Sequence, residues 1–161
     1  MQIDCILDFR VNSLENMPTR AHEDDAGLDL RARKDYDLFA EERVLVDTGV
    51  QVRIPRGYVG LLFPRSSLSK KGIEMTNSVG VIDSSYRGNI FASLMFVRNC
   101  HEHLSLSKQK IEKDERIVQL VVVPILLPIL NNCTNEIDEV WNNTTRSHGG
   151  SDQVHSAWWH W

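Results

Sequence analysis

Apolar and polar residues alternate with a period of two over much of the chain. Val44, Val46, Val50, Val52 and Ile54 mark one face, and Asp47-Thr48-Gly49 interrupts them in the manner of a turn or bulge. Tyr58 to Phe63, Asn89 to Val97 and Arg116 to Ile125 are further β-rich runs. They are separated by Pro55-Arg56-Gly57, Ser69 to Gly72 and the charged stretch Lys108 to Glu115. No long segment has convincing helical periodicity. Many short strands in one domain predict an all-β sandwich or barrel, and a jelly roll is one way such a fold manages its edges. The longest apolar run, Ile117 to Leu130, is too short to span a bilayer and contains Gln119, Pro124 and Pro128. It reads as a buried strand and its continuation.

Composition narrows the class. The 161 residues suit one compact domain, and 42% hydrophobic with 25% charged residues is the balance of an ordinary globular protein rather than a disordered one. A net charge of -4 lacks the broad positive field that attracts a nucleic-acid backbone, so no polymeric DNA or RNA partner is expected, whereas a single nucleotide needs only a local basic pocket. Cys5, Cys100 and Cys133 are widely spaced and odd in number, and read as free thiols in a reducing compartment. Cys100 stands beside His101 and His103, but a buried or incidental cysteine is the better reading and no role is assigned to it. Asp4 and Asp8 stand where an export signal would be basic and then apolar, so a cytoplasmic or nuclear location without membrane insertion is expected. From Asn131 onward the chain turns polar, suggesting an extended arm or loose tail.

Four segments carry candidate chemistry. Pro64-Arg65-Ser66-Ser67, at a strand end, offers a guanidinium, two hydroxyls and backbone amides, a cradle for phosphate that a ligand-free turn would also resemble. Asn77 to Gly88 reads as a hairpin that places an amide, a carboxylate and a phenol around glycines, which suits a pocket but also a plain surface hairpin. An Asn there can read a pyrimidine edge, Asp83 can deprotonate water, and the Tyr86 ring can pack against a sugar. Asp29, in Ala26-Gly27-Leu28-Asp29-Leu30, must find hydrogen bonds or a cation among apolar neighbours, or else caps a turn. Gln119 alternates with apolar neighbours after Asp114-Glu115-Arg116 and is either aimed at a ligand or simply part of a strand entrance.

In this order, the segments resemble the motifs of trimeric dUTP pyrophosphatases. AGLDL at Ala26 to Leu30, PRSSL at Pro64 to Leu68, NSVGVIDSSYRG at Asn77 to Gly88 and ERIVQL at Glu115 to Leu120 are similar to the first four of the family's five motifs. The resemblance implies a jelly-roll subunit over residues 1–140 and a C-terminal arm over 141–161, assembled as a homotrimer with active sites at subunit contacts. It implies water attacking the α-phosphate of dUTP, releasing dUMP and pyrophosphate, with Mg2+ held mainly by the triphosphate. Such an activity would limit uracil incorporation into DNA and supply dUMP for thymidylate synthesis. By the same resemblance, Asp83 activates the water and Tyr86 lies beneath the deoxyribose where a 2′-hydroxyl would clash. Asn77 and the backbone of Gly80, Val81 and Ile82 read uracil. Arg65, Ser66 and Ser67 hold the phosphates, Gln119 contacts them or their waters, and Asp29 supports the magnesium through water or the phosphate network nearby.

The fifth motif departs from the family pattern, approximately RGxGGFGSTG. Arg146-Ser147-His148-Gly149-Gly150-Ser151-Asp152-Gln153 keeps Arg146 as a substrate-binding candidate, but Ser151 falls on the aromatic position and Asp152 would face the triphosphate. Trp158, Trp159 and Trp161 beyond it could replace the lost stacking, or serve a protein partner or neighbouring subunit. In the fourth motif, Asp114 stands where the family often has glycine. Three functions therefore compete: an active dUTP pyrophosphatase, a nucleotide-binding or regulatory module of the same fold acting through a partner, and the related dCTP deaminase, against which Tyr86 argues.

Overall fold

In the computed structural model, residues 5–97 and 108–132 are described. Eleven strands run through them: β1 Asp8–Val11, β2 Leu28–Arg31, β3 Tyr36–Phe39, β4 Arg43–Asp47, β5 Val50–Arg53, β6 Tyr58–Pro64, β7 Ile73–Met75, β8 Gly80–Ile82, β9 Phe91–Phe96, β10 Lys108–Ile111 and β11 Arg116–Pro124. A 3₁₀ turn at Leu14–Asn16 and one short helix, α1 at Ser66–Lys70, complete the order.

The strands form a four-stranded sheet in the order β2-β11-β6-β8, a three-stranded sheet β4-β9-β7, and two antiparallel pairs, β1-β5 and β10-β3. Alternation decides which side of each strand is buried. Along β6 and β11, Leu62 lies opposite Leu120, and along β4 and β9, Val46 lies opposite Ala92 and Val44 opposite Leu94. These residues join Leu30, Val50, Val52, Ile73 and Ile117 in one hydrophobic cluster. The inner faces of both larger sheets thus share one core, the arrangement of the expected jelly roll. Asp47-Thr48-Gly49 is the expected break: β4 ends there, Gly49 takes a positive φ of 69°, and the buried Thr48 hydroxyl donates to the Ile90 carbonyl at 2.8 Å.

Several sequence expectations are corrected. Asn77 to Gly88 is not a hairpin, because β7 pairs with β9 while β8 pairs with β6, so the segment crosses from one sheet to the other. The charged stretch after residue 107 contains a strand, β10, whose lysines are balanced by acids: Lys108 pairs with Asp37 at 3.0 Å and Lys110 with Asp35 at 2.7 Å. Ser66 to Lys70 is helical, anchored by the fully buried Leu68. The apolar run from Ile117 is buried at Ile117, Val118 and Leu120, half-buried from Val121 to Val123, and exposed from Pro124, where β11 ends, through Leu126. Cys5 is an exposed free thiol. Cys100, Cys133, Arg146 and the tryptophan tail lie outside the described residues, as does the domain boundary expected near residue 140. The chain divides into a compact unit, Met1–Leu127, and a second, Pro128–Trp161, in which Ile129 and Leu130 are exposed. No helix among the described residues is long and apolar enough to cross a membrane.

Candidate active site

The candidate residues fall into two groups on the four-stranded sheet. The first group follows β8, whose outer edge has no strand partner among the described residues. An edge strand presents a row of backbone donors and acceptors, a natural template for reading a planar edge in a strand-like way. At its start, Asn77 is exposed and its Nδ2 lies 3.7 Å from where a Cβ on Gly80 would be. Gly80 is itself pressed against Leu62, 3.1 Å from that same Cβ position, so a side chain there would crowd β6 while only touching the amide. At its end, Val81, Ile82, Asp83 and Tyr86 line a cleft of about 200 Å³ with Asn89, Ile90 and Phe91. A turn fixes the pair of interest: the Tyr86 amide donates to the Asp83 carbonyl at 3.0 Å. Arg87 secures the same turn, its Nη1 donating to the carbonyls of Ser84 and Tyr86, each at 2.7 Å.

The second group lies where β2, β11 and β6 meet. Asp29 is buried on β2, directly opposite Gln119 on β11, which is in turn opposite Phe63 on β6. Arg65 Nη1 donates to Asp29 Oδ2, and Arg116 Nη1 donates to the same oxygen at 3.2 Å. One carboxylate therefore holds two guanidinium groups and leaves the cluster net positive, with both arginines reaching toward solvent, their side chains 24% and 43% exposed against 10% for Asp29. Gln119 packs over Gly27, where a Cβ would stand 2.6 Å from Oε1, which accounts for the glycine of the first motif. Ser66 and Ser67 are exposed in the first turn of α1, directly after Arg65.

Arg116 is the member that sequence reasoning missed. Simple alternation puts residues 116 and 119 on opposite faces of β11, but a register shift between Arg116 and Val118 reverses the parity and brings Arg116 beside Asp29. The lead-in is strained in the same place: Asp114, at the family's glycine position, has a positive φ of 66°. Its amide donates to the Ala32 carbonyl at 2.8 Å and its carbonyl accepts from Arg31 Nη1 at 2.9 Å. The left-handed turn is kept without glycine.

Within the chain the two groups do not meet. β2 and β8 are at opposite edges of the sheet, three strand spacings apart, which is about 14 Å at ~4.8 Å per spacing. Arg65 and Arg116 are drawn toward the β2 edge, away from Asp83. The outer face between the groups is apolar: Leu61 lies opposite both Val81 and Val121, and Val81 is 63% exposed.

With this geometry in place, comparison with known proteins identifies the class. The sequence matches the family model described as dUTPase over residues 15–153. The deoxyuridine 5′-triphosphate nucleotidohydrolase of Mycobacterium sp. (strain JLS) is 42% identical over 135 residues, covering 83% of this chain and 84% of that protein. Among solved structures, a mutant of the phage 80alpha dUTPase superposes with a TM-score of 0.72 at 31% identity, covering 83% of this chain and 99% of that one. A mutant of the dUTPase from phage phi11 of S. aureus, which coordinates a structural Mg(II) ion, has a TM-score of 0.68 at 29% identity, covering 79% and 95%. The chain belongs to the dUTPase family.

Proposed function

We propose that this protein is a dUTP diphosphatase, hydrolysing dUTP to dUMP and pyrophosphate, and that each active site is shared between copies of the chain in a homotrimer. The observation that carries the reading is that Asp83 and Tyr86 line one cleft at the end of an edge strand in a member of this family. On this reading uracil pairs along Gly80 to Ile82 with Asn77 at one end, and the deoxyribose rests on Tyr86. Asp83 accepts the proton of a water that attacks the α-phosphorus, and the bond to the bridging oxygen breaks to release pyrophosphate. Charge accumulates on the phosphate oxygens as this happens. Arg65, Arg116, Ser66, Ser67 and Gln119 supply the donors that meet it. Arg146 joins them from the arm.

The division of the site supports a shared assembly. A triphosphate attached to a sugar at Tyr86 cannot reach guanidinium groups held at the far edge of the same sheet, whereas a neighbouring copy can present its own. The apolar outer face around Leu61, Val81 and Val121 is surface that an assembly would bury.

Magnesium fits as a companion of the substrate. Among the described residues no group of three or more His, Cys, Asp or Glu could hold a metal ion, and Asp29 Oδ2 is engaged by two arginines. Mg2+ is commonly held by substrate phosphates with only one or two carboxylates, and offsets phosphate charge when so bound. Asp29 would act on it through water while holding the arginines in place.

Subunit mixing tests the shared site. Asp83→Asn and Arg65→Ala chains are each expected to be nearly inactive alone, and to recover about a quarter of wild-type turnover when co-assembled at equal amounts, since half the donors of each part are intact. No recovery in demonstrably mixed trimers would place the whole site within one chain and overturn the shared assembly.

A further inference from the structure

The Tyr86 hydroxyl is tied to the protein: it donates to the carbonyl oxygen of Asn89 at 2.7 Å. The ring lies back over Gly88, where a Cβ would come within 2.6 Å of the hydroxyl oxygen and 2.9 Å of Cζ, so ring and turn fit together only with glycine there. The acceptor is itself fixed. The Asn89 carbonyl belongs to the same peptide group as the Ile90 amide, which donates to the Val50 carbonyl at 2.8 Å, and Ile90 is fully buried. The Asn89 side chain is engaged at both ends: Nδ2 donates to Asp47 Oδ1 and Oδ2 at 3.1 and 3.3 Å, and Oδ1 accepts from Gln51 Nε2 at 3.1 Å. Asp47 is anchored in turn by the Gly49 amide at 2.8 Å and Arg33 Nη1 at 3.0 Å.

We infer that Asp47, Gln51 and Asn89 form a clamp that positions Tyr86 and thereby sets the preference for deoxyribose over ribose. The inference rests on the reading of Tyr86 as the sugar-facing ring. A ring can exclude a 2′-hydroxyl only if it cannot swing aside. Tyr86 is 40% exposed, so packing alone does not hold it, and its single hydrogen bond to a rigid acceptor must be broken before it moves. Such a bond is worth about two- to tenfold in an equilibrium, and the clamp keeps the acceptor where the hydroxyl can use it. Asp47, Gln51 and Asn89 are positioning residues here.

The readout is the ratio of kcat/KM for dUTP to that for UTP, which a general loss of stability would not move. Tyr86→Phe, which deletes the donor, and Asn89→Asp, which sets a carboxylate against Asp47, are each expected to lower the ratio about five- to tenfold. The double variant Tyr86→Phe/Asn89→Asp should lower it no further, because both changes act through one contact. Adding Asp47→Asn to Asn89→Asp restores a donor opposite an acceptor and should recover most of the ratio. Should Asn89→Asp fail to fold, Gln51→Leu with Tyr86→Phe decides the matter by the same non-additivity. Tyr86→Ala separates the two levels of the reading: a ratio unchanged by it would overturn the sugar-facing role itself. A ratio that collapses in Tyr86→Ala but is untouched by Tyr86→Phe and Asn89→Asp, or falls additively in the double variant, would overturn the clamp alone.

Discussion

Removing the carboxylate of Asp29 should expose how the phosphate arginines are held. In Asp29→Ala, Arg65 and Arg116 lose the one oxygen they share and face each other as like charges. Breaking a fully buried pair by deleting one partner costs about 3–5 kcal/mol, and an exposed pair contributes about 0–1 kcal/mol. Asp29 is at the buried end of this range and Arg116 toward the exposed end, with side chains 10% and 43% exposed. The expected loss is therefore intermediate, about 2–3 kcal/mol, or roughly 5–10 °C in melting temperature for a chain of this size. Asp29→Asn keeps the shape and one acceptor, and should lose about half as much. On the proposed function, kcat/KM for dUTP falls about ten- to hundredfold in Asp29→Ala as the guanidinium groups lose their orientation. Calorimetry and steady-state kinetics on the same preparations measure both. A melting temperature within about 1 °C of wild type would refute the electrostatic reasoning, because two uncompensated arginines cannot be neutral to stability.

Two further perturbations address the frame around the site. Asp114→Gly relieves a left-handed backbone and removes Oδ1, which is buried without a hydrogen-bond partner among the described residues, so it should raise stability by about 1 kcal/mol in thermal or urea melts; a loss would mean that the side chain supports the turn. The Glu15–Lys113 pair predicts a pH signature. Its hydrogen bond to Lys113 holds the Glu15 carboxyl below the usual glutamate range and raises the Lys113 ammonium. A lowered carboxyl stabilises above its unfolded pKa and loses that contribution as pH falls through the folded value; a raised ammonium does so below its unfolded pKa and loses it as pH rises through the folded value. Lys113→Met should therefore melt slightly below wild type at neutral pH, with the difference vanishing in acid; a difference that persists in acid would point to packing instead.

Strands with one buried face are legible in the chain because burial imposes alternation: Val44, Val46, Val50 and Val52 announce β4 and β5. Strands at edges carry no such constraint. β10 is Lys-Gln-Lys-Ile, its lysines paired with Asp37 on β3 and Asp35 just before it, so its composition reads as a loop. The exposure of Leu126 is equally hidden, because an apolar residue looks the same whether it faces a core or open surface. The site is legible where function concentrates unusual residues in a short stretch, as in Asn77 to Gly88. Three features are not. Arg116 reaches Asp29 only because a bulge reverses the parity of β11, which no local pattern encodes. Asn89 gains its place from Asp47 and Gln51, 42 and 38 residues away. The separation of Arg65 from Asp83 follows from the antiparallel register of β6 and β8, which sends the two residues off opposite ends of the pair, and from the hold of Asp29 on Arg65; neither is a property of one motif.

On the proposed function, Asp83 drives water at the α-phosphorus of dUTP. Pyrophosphate release from dUTP with magnesium, measured for the wild-type chain and for Asp83→Asn alongside binding of a non-hydrolysable dUTP analogue, tests it most directly. The wild type should give dUMP and pyrophosphate in equal amounts, and Asp83→Asn should lose roughly a hundred- to ten-thousandfold in turnover with analogue binding largely kept. Turnover of Asp83→Asn at the wild-type rate, or a wild-type protein that binds dUTP and releases no pyrophosphate, would contradict this reading.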